Sequence, residues 1–331
     1  MQGSARLMRP IAQSCLRYQG TLGEASGNIK NMQTIRSTKW VWCGALSLLL
    51  APWTAWSTEL APAREPRLKS EMAIVVDQDT DEILYEKNAD QVSSIASITK
   101  LMTAMVTLDA QLPLDEDLEV RTEDRANTWA QSRLRPGTTL TRGQALHLAL
   151  MSSENHAAQL LGRTYPGGVP ALVEAMNAKA QLLGMRESHF ADPTGLSPSN
   201  RSSAADLVRM VKAAYEYPEI RYDSVSTDLL VPVGRRVVHY QNTNHLTSRP
   251  DWQIGLQKTG YIAAAGRCLV MQAVIDQRRV VMVLLDSVGR SSRFADAQRV
   301  RDWLKATRPP AMAADAASPA PGSESSGSQS F

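Results

Sequence analysis

The 331-residue sequence is poor in cysteine, phenylalanine and long apolar runs, and no single sign of charge dominates it. Of its three cysteines, Cys15 and Cys43 fall in the first 57 residues. Cys268 stands alone beyond them, so no internal disulfide is available there. Cys268 lies in the strand-like run RCLVMQAVI and is expected to be buried as a small hydrophobe. The formal charge of +3 belongs to the N-terminal segment, where Arg6, Arg9, Arg17, Lys30, Arg36 and Lys39 face only Glu24. The remainder carries 30 bases and 32 acids, a balance that gives no argument for a nucleic-acid partner, and none is expected. His147, His156, His189, His239 and His245 show no metal-ligand spacing such as HExxH, so neither a metal nor another cofactor is expected. The longest apolar stretch, WVWCGALSLLLAPWTAWS, is short for a membrane span and is interrupted by Pro52.

That stretch follows the basic segment MQTIRSTK and ends in small residues, Ala55 and Ser57. Residues 32–57 therefore read as a secretory signal with Met32 as a candidate start. Cleavage is expected, with an uncleaved anchor, and hence membrane association, as the alternative. Either places the rest of the chain outside the cytoplasm. Residues 58–70 read as a linker, and residues 307–331, rich in Ala, Pro, Ser and Gly, as a disordered tail.

Between them, EMAIVV and EILYEKN form a hairpin through the polar turn DQDTDE. A buried helix is expected over about 97–110, with Ser93, Ser94 and Ser97 supplying its N-cap. Residues 112–250 read as mostly helical, with capping boxes at Thr141 and Ser203 opening helices over about 142–151 and 204–217. After Trp252 the runs GLQKTGYI, CLVMQAVID and RVVMVLLDSV read as strands, the last two joined at Gln277-Arg278. An amphipathic helix over 291–306 closes the fold. Strands from both ends around a helical block predict an α+β domain over 71–306. Its five-stranded antiparallel sheet would carry an inserted helical subdomain over about 112–250.

Three short motifs carry the chemistry. In SSIASITKLMTAMV, Ser97 and Lys100 are one helical turn apart on one face. At a helix N-terminus the dipole disfavours a protonated lysine and favours charge developing on a serine oxygen, as a Ser-Lys nucleophile requires. Ser153-Glu154-Asn155 follows one helix and opens another, and Lys258-Thr259-Gly260 lies in an apolar strand. Each has a plainer reading alone: Ser97 and Lys100 as a cap and a solvated lysine, Ser153 and Asn155 as helix caps. Lys258 alone would guard an edge strand, and Thr259-Gly260 would be a strand end. The order SxxK, SxN, KTG, at intervals of about 55 and about 105 residues, is the set found in active-site serine penicillin-recognising enzymes.

With these motifs, LTRGQALHLALMSSENHAAQLLGR, DPTGLSPSNRSSAADL and QKTGYIAAAGRCLV make residues 70–306 resemble the low-molecular-mass penicillin-binding proteins, the D-alanyl-D-alanine peptidases. By these stretches the similarity is greatest to their small D,D-endopeptidase branch (penicillin-binding protein seven type). The about 25 residues after the last expected helix, in place of the β-rich second domain of the related carboxypeptidases, point the same way. The resemblance implies a β-lactamase/transpeptidase-like fold acting in the periplasm of a Gram-negative-type bacterium. Its partners would be peptidoglycan stem peptides, with β-lactams as covalent inhibitors. It implies Ser97 as nucleophile, neutral Lys100 as its base, Ser153 as the proton relay to the leaving amine helped by the electrostatics of Lys258, and Asn155 as a substrate-amide partner. Thr259 and its strand would pair with the substrate backbone. The N–H groups of Ser97 and Tyr261 would form the oxyanion hole, and Gly255 and Gly260 would permit close approach. Arg267 and Arg201 are both candidates to meet a substrate carboxylate, and Glu154 is expected at the cleft rim. No Glu-x-x-Leu-Asn stretch separates SxN from KTG, so acyl-enzymes with β-lactams are expected to be long-lived. A D-alanyl-D-alanine carboxypeptidase and a silent peptidoglycan-binding protein on the same fold are the alternatives.

Overall fold

The computed structural model describes residues 64–125 and 132–307. The signal segment, most of the linker and the tail lie outside them. In chain order the elements are β1 (Ser70–Asp77), β2 (Ile83–Lys87), β3 (Ser93–Ser94), α1 (Lys100–Asp109), β4 (Asp117–Glu119) and β5 (Thr139–Thr141). Then come α2 (Arg142–Met151), α3 (Asn155–Arg163), α4 (Gly168–Leu182), β6 (Arg201–Ser202), α5 (Ala204–Tyr215) and α6 (Pro218–Val225). The last are β7 (Asp228–Val233), β8 (Arg236–Gln241), β9 (Gln253–Ile262), β10 (Gly266–Ile275), β11 (Arg278–Ser287) and α7 (Ser292–Ala306).

Five strands form one antiparallel sheet in the order β2-β1-β11-β10-β9. The two chain ends thus meet at β1 and β11, and β9, carrying Lys258-Thr259-Gly260, is left at an edge. Both faces are covered, which is why the strands read as continuous apolar runs. Ile74, Val270, Val281, Val283 and Leu285 face a core shared with α1, α2, α3 and α5. Val75, Leu269, Met271, Met282 and Leu284 pack with Phe294, Ala297, Val300 and Leu304 of α7. Ser70 ties the sheet to α7 through the Asp296 carboxylate, which accepts from its N–H and its hydroxyl, both at 2.7 Å.

Two local expectations change. The serines ahead of α1 do not cap it: Ser93 and Ser94 pair as β3 with Ser202 and Arg201. A 3-10 turn over Ala96–Thr99 precedes α1, entered from Ile95, whose side chain makes no cap. The β10–β11 turn falls one residue early, at Asp276 and Gln277. Both have positive φ (52° and 67°), as a two-residue turn matching the strand twist requires. The β7–β8 hairpin was not anticipated within the helical block, because its period-2 pattern is short and half exposed.

Candidate active site

The 3-10 turn sets the first pair. In this tighter helix residues i and i+3 eclipse, and Lys100 Nζ lies 3.0 Å from Ser97 Oγ. Ala96, just ahead of the serine, holds φ +48°, a conformation that costs an L-residue and persists only where neighbours enforce it. Gly195 and Gly260 are those neighbours. A Cβ at Gly195 would lie 1.9 Å from the Ala96 carbonyl oxygen, and one at Gly260 3.1 Å from the Ser97 nitrogen. The nucleophile segment is thus clamped between a loop and the edge strand by two side-chain-free positions.

Lys100 is fully buried. Its Nζ donates to Asn155 Oδ1 at 2.8 Å and to the Thr194 carbonyl at 2.6 Å. Burial pulls its pKa down to about 7, against the opposing pull of the Asp192 and Glu154 charges. Near neutrality a large share of the lysine is therefore a free amine beside a serine hydroxyl.

Ser153 follows the end of α2 in a left-handed conformation, φ +59°, which terminates helices. Its hydroxyl is half-buried and, among the described residues, makes no hydrogen bond. Asn155 then opens α3, and its side chain reaches Lys100. Glu154 is not at a rim: it is 8 % exposed, and its carboxylate caps α3 by accepting from the His156 N–H at 3.2 Å.

Lys258 is buried on β9 and donates to the Thr259 carbonyl at 2.9 Å. Its pKa is well below the ordinary lysine value, through burial first and then through repulsion by Lys100 and Arg293. Thr259 Oγ1 shares a hydrogen bond of 2.6 Å with Thr243 Oγ1, and the Thr243 N–H donates to the Met151 carbonyl that closes α2. Tyr261 is 55 % exposed at the strand end, with the Arg267 guanidinium 4.3 Å above its ring. Gly255 makes a different approach from the one expected: a Cβ there would meet the side chains of Gln272 and Tyr215 rather than backbone. Arg201 lies on β6, its backbone bridged to His189 and its side chain exposed.

Sequence reasoning missed Asp192, Thr194 and Arg293. Asp192 accepts from the N–H groups of Thr194, Gly195 and Ser197, the Thr194 hydroxyl and the Asn200 amide. Burial pushes its carboxyl up, but these bonds outweigh that and hold it below the usual carboxylate range. The loop it ties presents the Thr194 carbonyl to Lys100 and Gly195 to Ala96. The segment DPTGLSPSN was legible as loop chemistry, and the Asp-x-x-Gly turn was its available signal. Arg293 is a buried cation that repels Lys258, its own pKa brought to about 10 by burial and then by Arg267. Arg293 and Arg267 thus bring positive charge beside the edge strand, and no periodicity marks Arg293.

The histidines have other partners. His156 Nδ1 lies 3.1 Å from the Leu134 carbonyl oxygen, His239 contacts Asp228, and His245 stacks edge-on against Phe294. Cys268 is buried, which pushes its thiol up to about 12.

Residues 59–289 match the peptidase S11 family, described as D-alanyl-D-alanine carboxypeptidase. The chain is 43% identical over 266 residues to the D-alanyl-D-alanine endopeptidase of Escherichia coli, covering 78% of this chain and 85% of the relative. It is 46% identical over 244 residues to the enzyme of the same name from Pseudomonas aeruginosa, covering 73% and 79%. Among solved structures, the Streptomyces K15 DD-transpeptidase is similar, with 26% identity, 73% of this chain and 99% of that chain covered, and a TM-score of 0.68. A Mycobacterium tuberculosis D-alanyl-D-alanine carboxypeptidase is similar with 27% identity, coverage of 76% and 96%, and a TM-score of 0.66. With this sheet, this edge strand and this match across most of its length, the chain belongs to the D-alanyl-D-alanine carboxypeptidase family of serine peptidases, family S11.

Proposed function

We propose that this protein is a serine D,D-peptidase that cleaves D-alanyl cross-links of peptidoglycan in the periplasm, with Ser97 as nucleophile and β-lactams as acylating inhibitors. The observation that carries the reading is the buried Lys100 amine, held 3.0 Å from Ser97 Oγ by two acceptors on its other side. A neutral amine has two N–H bonds. The Asn155 and Thr194 oxygens take both, so its lone pair is left for the Ser97 hydroxyl proton.

Ser97 Oγ attacks the D-alanyl carbonyl carbon as its proton passes to Lys100. The oxyanion is met by the N–H groups of Ser97 and Tyr261, on the turn and the edge strand that Gly260 brings together. Collapse breaks the C–N bond. The leaving amine takes a proton relayed through Ser153, for which the field of Lys258 favours an anionic oxygen, and an acyl-enzyme remains on Ser97. Water then attacks the ester and regenerates the serine. Asn155 holds a substrate amide, and the backbone of Thr259 pairs with the peptide as an added strand. The positive charge of Arg293 and Arg267 suits a carboxylate near the leaving amine. The endopeptidase choice rests on the relatives so named, and the location on the signal-like leader. No helix among the described residues is long and apolar enough to cross a membrane.

The test incubates purified protein with cross-linked dimeric muropeptides and pentapeptide monomers and reads the products by mass spectrometry. Conversion of dimers to monomers, lost in Ser97→Ala, is the expected result. Pentapeptide trimming alone would make the enzyme a carboxypeptidase, and an inert, folded protein would favour a binding role.

A further inference from the structure

A second cavity, of about 460 Å³, opens between α2 and α6, away from the cleft residues. Leu114, Leu146 and Pro218 give it apolar walls, and His147, Glu219, Tyr222 and Asp223 line it. Tyr222 is 71 % exposed, a large ring standing at the cavity rather than packed in a core. Asp223 is buried, and His147 Nδ1 lies 3.5 Å from its Oδ1. Burial lowers the pKa of His147, so at neutral pH this contact joins a carboxyl to an uncharged imidazole and is not an ion pair. His147 Nε2, on the other side of the ring, is buried without a hydrogen-bond partner. The Glu219 charge adds to the burial that raises Asp223 to about 7, and the lining residues bring two carboxyl groups and no lysine or arginine.

Every feature asks for the same occupant. Two carboxyl groups offer acceptors, an exposed phenol ring offers a π face, and Leu114, Leu146 and Pro218 give apolar wall beside the polar Thr141 and Gln144. An anion would be repelled, and a neutral apolar molecule would leave Asp223 unanswered. We propose that the cavity between α2 and α6 binds a small organic cation, an ammonium group on an apolar or aromatic body. Its position gives such a ligand a line to the cleft. Ser224, next to Asp223, accepts from Gln257 Nε2 at 2.6 Å through its carbonyl, and Gln257 precedes Lys258. His147 stands in the helix that ends ahead of Ser153.

The experiment is calorimetry and ligand-observed NMR on the full-length protein at pH 8, where Asp223 is ionised. Phenethylammonium is the probe, with 2-phenylethanol and 3-phenylpropanoate as neutral and anionic counterparts. Saturable binding of the ammonium with a dissociation constant of about 1 mM is expected. The two counterparts should bind at least roughly tenfold more weakly. Asp223→Asn should weaken the ammonium about tenfold and Tyr222→Ala about threefold, each with a wild-type circular dichroism spectrum. Tyr222→Ala, at a ring that is exposed and meets the His147 ring only edge-on at 6.0 Å, gives an independent second reading. Binding should persist after benzylpenicillin treatment, which fills the cleft. Absence of saturation, equal binding of the three probes, variants that bind at full strength, or loss of binding on penicillin treatment would overturn the proposal.

Discussion

Lys100 Nζ donates to the carbonyl oxygen of Thr194 across 94 residues of sequence, at 2.6 Å. That carbonyl is held in place from behind by Asp192. Asp192→Asn removes the charge on which five donors converge, and penicillin acylation is expected to fall about ten- to a hundredfold. A merely structural role would leave the pH profile unmoved. Here the Asp192 charge raises the Lys100 pKa, so the acid limb of the variant's residual acylation should shift to lower pH. Labelling rates with a fluorescent penicillin between pH 5 and 9 check both outcomes.

In the wild type, acylation needs the free amine of Lys100. Its pKa of about 7 makes the rate rise through neutrality and level off above it. Below that value the rate should drop by about tenfold for each unit of pH, since only the deprotonated fraction reacts. A rate that stays flat down to pH 5 would show that Lys100 is not the base.

The two glycines that clamp Ser97 should differ in kind. Gly195→Ala places a methyl on the Ala96 carbonyl at a residue with φ +78°, and should cost about 3 kcal/mol or more while abolishing labelling. Gly260→Ala meets backbone at 3.0–3.1 Å. It should cost only about 1 kcal/mol of stability yet slow acylation roughly tenfold or more, because it displaces Ser97. Urea unfolding and labelling kinetics on both variants separate the two effects.

Asp223 titrates in the opposite sense to a surface carboxylate. Its folded pKa of about 7 exceeds the unfolded value of 3.8. The fold therefore binds its proton more tightly, and the stability this contributes is present below pH 4 and lost as pH rises through 7. His147, lowered by burial, works the other way, so the comparison is variant against wild type. Asp223→Asn should be more stable than wild type at pH 8, by up to a few kcal/mol, with the gap closing toward pH 4. Thermal melts across that range measure it.

Cys268 is buried with its thiol pushed up to about 12. In the native protein it should resist iodoacetamide, reacting only on denaturation. Peptide mapping distinguishes it from Cys15 and Cys43.

The family, the sheet and the three motifs were legible from local information. Chain-end strands such as RVVMVLLDSV, the cap at Thr141 and the i, i+3 spacing of Ser97 and Lys100 each encode structure within a few residues. What the sequence left open was set by contacts between distant segments. Ser93 and Ser94 look like caps, but strand pairing with residues 201–202 overrides that propensity. Glu154 looks like a surface acid until α3 folds over it. Asp192, Thr194 and Arg293 acquire their roles only because a loop and the last helix come to lie against Lys100 and Lys258. Lysine pKa values are tertiary quantities for the same reason. The sequence by itself determined which groups could react, while burial and long-range hydrogen bonds decided the protonation state in which they meet.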